Sequence, residues 1–230
     1  MRAMILVLLI AGLSFAHAGA DPVPIDDIQV YDEAGAPVSP FDGQVVTVVG
    51  SVYLPQGVFN NGSFYIMGET GGINIYANFP HFFQLGEVLE IQGAVSTFQG
   101  TIQIGPSPVI LSRTPGPVPE PAIHVPEEIQ GDYEMVGSFV SVIGEVVRVD
   151  PPYYIHLGAG NEELVVYLDS TAQLDMSAVD VGDVYRITGP VYNYQGTINI
   201  YPRYQEDLED LTGVVAQEER NWGSVKSLYR

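Results

Sequence analysis

The chain of 230 residues carries 8 Lys and Arg against 28 Asp and Glu, a formal charge of −20, with 46% hydrophobic residues, 25 Gly, 17 Pro and no Cys. That apolar fraction supports packed cores rather than a disordered acidic segment, and the absence of Cys excludes disulfides, Cys-built zinc sites, thiol nucleophiles and Cys-held iron–sulfur clusters. No Lys or Arg stands between Arg2 and Arg113, so this stretch offers nothing to neutralise phosphates, the main source of non-specific nucleic-acid affinity.

Residues 1–20 read as a secretory signal: Arg2, the apolar run from Met4 to Ala11, then the small-x-small exits Ala16-His17-Ala18 and Ala18-Gly19-Ala20. The run is too short to span a bilayer comfortably and no second one follows, which predicts a secreted, cell-surface or periplasmic protein with no transmembrane segment after signal removal. A retained N-terminal anchor is the alternative. Cleavage removes Arg2 and no acid, leaving 7 basic residues against 28 acidic ones, a charge of −21.

Residues 21–42 form a lead-in in which Ile28, Val30 and Tyr31 could add a strand. An internal repeat then sets the architecture. Val46 to Val52 recurs as Val140 to Val146, Phe64-Tyr65-Ile66 as Tyr153-Tyr154-Ile155, and Ile75-Tyr76 as Val166-Tyr167. At an offset of 96, Gly86 to Val95 matches Gly182 to Val191 without a gap, and Phe98 to Ile104 matches Tyr194 to Ile200. Two copies in the same order mean a duplicated domain, since a solenoid needs at least three units.

In the first copy the predicted strands are Gln44 to Tyr53, Ser63 to Met67, Gly72 to Ala77, Glu87 to Val95 and Thr101 to Ile104, with a hairpin from Ser96 to Gly100. Gly50 marks a bend in the first strand. Asn78 to Leu85 is a loop or one to two helical turns. The expected organisation is barrel one over residues 43–112, a Pro-rich linker over 113–130, barrel two over 131–205, and an acidic then basic-amphipathic tail over 206–230. The fold class is all-β: two tandem five-stranded Greek-key barrels, each with a short helix or loop between strands three and four.

This pattern of Gly43 to Val52, Phe64 to Ile66, Gly71 to Tyr76, Gly86 to Val95 and Phe98 to Ile104, repeated in the second copy, resembles the bacterial exported OB-fold (oligonucleotide/oligosaccharide-binding) domains found beside extracellular nucleases. In the second copy Gly158 to Glu163 replaces the Gly-Gly turn before strand three. The resemblance implies a ligand face on strands two and three with the flanking loops.

Period two then turns Tyr65, Met67, Asn74 and Tyr76 outward, and in the second copy Tyr154, His156 and Tyr167. Phe98 and Tyr194 fall in the loop between strands four and five. These rings could stack on bases or sugars, or cover an interdomain contact. In the tail, Trp222, Val225 and Leu228 recur every three residues beside Lys226 and Arg230 and are candidates for docking on an acidic barrel surface.

No catalytic residue is assigned. His81, His124 and His156 have no partners at triad or ligand spacing, and no Gly-rich phosphate loop occurs. Acid clusters such as Glu206-Asp207 and Asp210 lack a calcium-loop pattern. No metal and no cofactor are expected. The favoured reading is a noncatalytic exported module contacting protein, glycan or copies of itself and able to self-assemble. Nucleic acid is disfavoured as a partner by charge, and the alternative is a single-stranded nucleic-acid-binding module accessory to an extracellular nuclease.

Overall fold

The computed structural model describes residues 21–59, 62–78, 80 and 82–215. The expected signal, His81 and the tail candidates Trp222, Val225, Lys226, Leu228 and Arg230 lie outside the described residues. Among those described, no helix is long and apolar enough to cross a membrane.

The lead-in opens with a helical turn, α1 (Ile25–Ile28), where a strand was expected around Ile28. Pro24 just before it, and Asp26 and Asp27 in its first turn, suit the positive end of a helix. Thr70 Oγ1 accepts from the Ile25 N–H at 2.9 Å. All that Tyr31 contributes to pairing is one isolated bridge to Pro37.

The first copy folds as β1 (Val45–Leu54), β2 (Ser63–Met67), β3 (Gly72–Tyr76), β4 (Glu87–Phe98) and β5 (Thr101–Ile104). They pair in the order β1-β2-β3-β5-β4, and β4 returns to β1, closing a five-stranded barrel. The β3–β5 pair is parallel and the others are antiparallel. Alternate residues fill the interior: Val46, Val48 and Val52, Phe64 and Ile66, Ile73 and Ile75, Leu89, Ile91 and Val95, Ile102 and Ile104. Phe64, Ile66, Ile73 and Ile75 are the inward neighbours that period-two alternation leaves once Tyr65, Met67, Asn74 and Tyr76 are turned outward. Between β3 and β4 the described residues form a loop.

The strand β6 (Val109–Pro115) lies antiparallel on β4. Arg113 to Pro115, expected to start the linker, are therefore strand residues. Arg113 is tied to Glu87 at 2.7 Å and its guanidinium lies over the Phe83 ring at 5.3 Å. The strand β7 (Ala122–His124) then pairs parallel to the next copy, and α2 (Pro126–Ile129) follows with Pro126 in its first turn.

The second copy contains β8 (Phe139–Asp150), β9 (Tyr154–Ala159), β10 (Glu162–Tyr167), β11 (Val184–Tyr194) and β12 (Thr197–Ile200). Their pairings trace a ring, β8-β9-β10-β12-β11 and back to β8, with β10–β12 parallel like β3–β5. β13 (Leu208–Asp210) pairs on β11, and α3 (Thr212–Val215) ends the described chain. Between β10 and β11 the chain is held in turns in which Asp169 and Asp175 accept from the backbone N–H two residues on; such side-chain capping competes with helix.

Both β4–β5 and β11–β12 hairpins turn on Gln-Gly. Gln99 and Gly100 have φ of 51° and 95°, and Gln195 and Gly196 have 52° and 88°. Two consecutive left-handed residues make a turn whose twist matches the strands. The hairpins are thus tighter than Ser96 to Gly100, and Phe98 and Tyr194 are the last strand residues before each tip.

The copies pack directly on each other. Tyr53, Leu54, Phe59 and Tyr65 of the first barrel form one buried cluster with Phe139 and Tyr192 of the second copy. Tyr53 and Phe139 stack with centroids 4.8 Å apart. Tyr53 Oη donates to the Gly137 carbonyl at 2.6 Å, and Arg203 Nη1 donates to the Tyr53 carbonyl at 2.7 Å. The backbones come so close at Gly72 that an added Cβ would sit 1.8 Å from the Gly137 oxygen. The hairpin tips meet as well, with the Gln195 N–H donating to the Gln99 carbonyl at 2.8 Å.

Candidate functional site

The seam leaves the two outer faces with different fates. On the first barrel, Tyr65 points outward from β2 as expected, yet it is only 1% exposed because the second copy covers it. Asn74 is its cross-strand partner on β3 and donates from Nδ2 to the Tyr65 hydroxyl at 3.2 Å.

On the second ring the corresponding face is open. Tyr154 on β9 stands opposite Tyr167 on β10, with ring centroids 5.4 Å apart. Tyr167 continues to Tyr201 at 5.0 Å, and Tyr201 stacks on Tyr192 at 4.8 Å. Tyr194, before the β11–β12 tip, is 43% exposed, and Tyr154 is 40% exposed. Phe98, 55% exposed, reaches in from the first barrel's tip. These rings, with the edge of Tyr65 and with Gln99, Asp169 and Asn199, line a groove of about 320 Å³. The groove therefore lies on the second unit's strand-two and strand-three face, extended by the hairpin tip of the first.

The electrostatics of the groove are those of neutral phenols beside one carboxylate. Burial, then the Asp169 charge, pushes the Tyr167 hydroxyl above its ordinary range. Burial raises Tyr192 and Tyr201 as well. All three remain protonated at neutral pH and can donate as well as accept.

Five of the nine ligand-face residues read from the sequence meet in this groove: Tyr65, Phe98, Tyr154, Tyr167 and Tyr194. Four do not. Met67 lines a separate cleft of about 730 Å³ with Asp26, Asp27 and Glu69. Asn74 is buried behind Tyr65, and Tyr76 pairs with Ser63 at the far end of β3. His156 belongs to an ionic cluster: Arg148 Nη2 bonds to its Nδ1 at 2.9 Å and to Glu163 at 2.6 Å, Arg148 Nη1 bonds to Asp150, and His156 Nε2 lies 3.2 Å from Asp150. Burial first, and Arg148 second, hold His156 below its ordinary pKa of 6.5.

Tyr192, Tyr201, Asn199, Gln99 and Asp169 were missed. Tyr192 was legible, since it lies two residues before Tyr194 on the same strand and so shares its face. Tyr201 follows β12 outside any predicted strand, and Asp169 lies in the loop after β10.

Each of the four arginines among the described residues is paired: Arg113 with Glu87, Arg148 with Asp150 and Glu163, Arg186 with Glu209, and Arg203 with Asp207. Within the described residues, no group of three or more His, Asp and Glu is placed to hold a metal ion. What the groove offers is flat rings and hydrogen-bonding edges.

No family model matches the chain. Over 189 residues it is 28% identical to endonuclease YhcR of Bacillus subtilis (strain 168), covering 71% of this chain and spanning 15% of that protein. Among solved structures, it is similar to the S. pombe Stn1–Ten1 complex, with 13% identity, a TM-score of 0.34 and coverage of 49% of this chain and 96% of that one. It is also similar to a murine DNA-binding protein bound to double-stranded DNA, with 13% identity, a TM-score of 0.38 and coverage of 67% and 90%. The single-stranded DNA-binding protein of Thermus aquaticus matches with 11% identity, a TM-score of 0.26 and coverage of 72% and 93%. These findings correct one expectation. Nucleic acid was disfavoured as a partner from charge alone, whereas the curated protein that matches 71% of this chain is an endonuclease.

Proposed function

We propose that the chain is an exported, noncatalytic module of two tandem OB-like barrels that binds single-stranded nucleic acid by stacking bases in the aromatic groove of its second unit, as an accessory to a nuclease. The observation that carries this reading is the groove itself: Tyr154, Tyr167 and Tyr194 with Phe98 on the face that OB barrels use for ligands. Stacking is tolerant of sequence because every base has a π-face, and it needs no free cation. The paired arginines make phosphate contact a minor part of the interaction. The similarity to a stretch of an endonuclease supports the accessory role. The deciding experiment is fluorescence anisotropy of labelled single-stranded and duplex oligonucleotides with residues 21–230. Binding of unpaired strands that is lost on Tyr154→Ala combined with Tyr167→Ala is the expected result; equal binding by that variant removes the groove from the account, and no binding of any strand removes the function.

A further inference from the structure

Resting on that reading, we infer that the groove is selective for guanine, through the carboxylate of Asp169. Asp169 lines the groove among the rings. Its Oδ1 is fixed by the Thr171 N–H at 2.8 Å and by the Thr171 hydroxyl. No salt bridge forms to Asp169 among the described residues. An ionised carboxylate only accepts hydrogen bonds and has about four lone-pair sites. Thr171 occupies two on Oδ1, so the sites left on Oδ2 require donors.

The pairing edges of the bases answer this requirement differently. Guanine presents two adjacent donors, N1–H and N2–H. Adenine places the acceptor N1 beside its amine, cytosine places the acceptor N3 beside its amine, and thymine or uracil flanks its single N–H with two carbonyls. Along these edges each of the latter three sets a lone pair beside its donor and gives the carboxylate one hydrogen bond where guanine gives two; cytosine, which can also offer its amine from the C5 side, is the nearest competitor. Asp169 shares this groove with Tyr154, Tyr167, Tyr194 and Tyr201, so a base stacked on these rings lies on the side of the groove that Asp169 lines. A cavity of about 320 Å³ suits one or two bases rather than a long strand.

The test compares thymidine oligomers carrying one central guanosine, inosine, adenosine or cytidine, titrated against the intact chain and its Asp169→Asn variant. The expected result is a preference for the guanosine strand of about tenfold or more, partly lost with inosine, which lacks the N2 amine. Asp169→Asn should bring the four strands to within about twofold, because the amide presents a donor to guanine's donors. Equal binding of guanosine and adenosine strands by the unaltered chain overturns the inference while leaving the stacking function standing. Retained preference in a folded Asp169→Asn chain overturns it too. The inosine comparison needs no variant, so unchanged affinity on replacing guanosine by inosine counts against the inference even if the variant fails to fold. If the unaltered chain binds none of the strands, the proposed function falls, and the selectivity with it.

Discussion

Thr101 and Asn193 exchange hydrogen bonds across the seam: Thr101 Oγ1 donates to the Asn193 carbonyl at 2.7 Å, and the Asn193 N–H donates back to Oγ1 at 3.2 Å. The Asn193 side chain extends the contact, donating from Nδ2 to the Gly35 and Gly100 carbonyls at 2.8 and 3.0 Å and accepting from the Gly196 N–H at 2.9 Å. With Asn193 0% exposed, these groups have no water to fall back on. Asn193→Ala should lower stability by about 3 kcal/mol in urea unfolding. Because Tyr53, Tyr65, Phe139 and Tyr192 still join the units in this variant, unfolding should stay a single transition, and trypsin should cut slowly at Arg113, which is held in β6. Two separated transitions would show that the units fold independently.

Gly72→Ala should be at least as damaging. The new Cβ would fall 1.8 Å from the backbone oxygen of Gly137, and backbone cannot swing away as a flexible side chain can. A loss of about 3 kcal/mol or more is expected, with enhanced proteolysis at the seam. Wild-type stability in urea would contradict the close approach.

Single substitutions in the groove should separate binding from folding. Tyr154→Ala and Tyr194→Ala, at half-exposed rings, should each weaken single-strand binding about tenfold with little change in melting temperature. Tyr65→Ala should instead destabilise the chain, because its ring packs in the seam. Affinity should depend only shallowly on the logarithm of salt concentration, since few counterions are released. A steep slope would point to a phosphate contact.

The His156 cluster predicts a pH response. Arg148 and Asp150 on β8 and Glu163 on β10 face this ring. Its folded pKa lies below 6.5, so the unfolded chain binds the proton more readily. Its contribution to stability is therefore complete above pH 6.5 and declines as pH falls through that value toward the folded pKa. Glu163, held low by Arg148, adds a loss at still lower pH. Melting temperature against pH for His156→Gln should lack the first decline; an unchanged profile would assign it elsewhere.

The repeat was enough to locate the strands, because alternation around Val46, Val48 and Val52 or around Ile73 and Ile75 has one solution for a half-buried sheet. The match of Tyr65 to Tyr154 was two residues off: Phe64 pairs with Ile75 as Ile155 pairs with Val166, making His156 the counterpart of Tyr65. A slip of two keeps every side chain on its face, so Tyr154 was still assigned outward. What alternation cannot encode is what covers an outward residue. Tyr65 and Tyr154 read alike as strand tyrosines, and only the docking of the second copy buries one and leaves the other open. β7 and β13, of three residues each, are too short for a periodic signal.

Covering the first barrel's face with Phe139 and Tyr192 also limits how the chain can be divided. Cut between the copies, the first fragment would carry Tyr53, Leu54 and Tyr65 as a bare oily patch, and the second would carry Phe139 and Tyr192 as its complement. Arg203, whose guanidinium lies 4.3 Å from the Phe139 ring centroid, would lose the Tyr53 carbonyl it bonds across the seam. Patches of this kind drive association between molecules, so fragments produced separately should be poorly soluble, and mixing them should recover solubility by rebuilding the seam in trans.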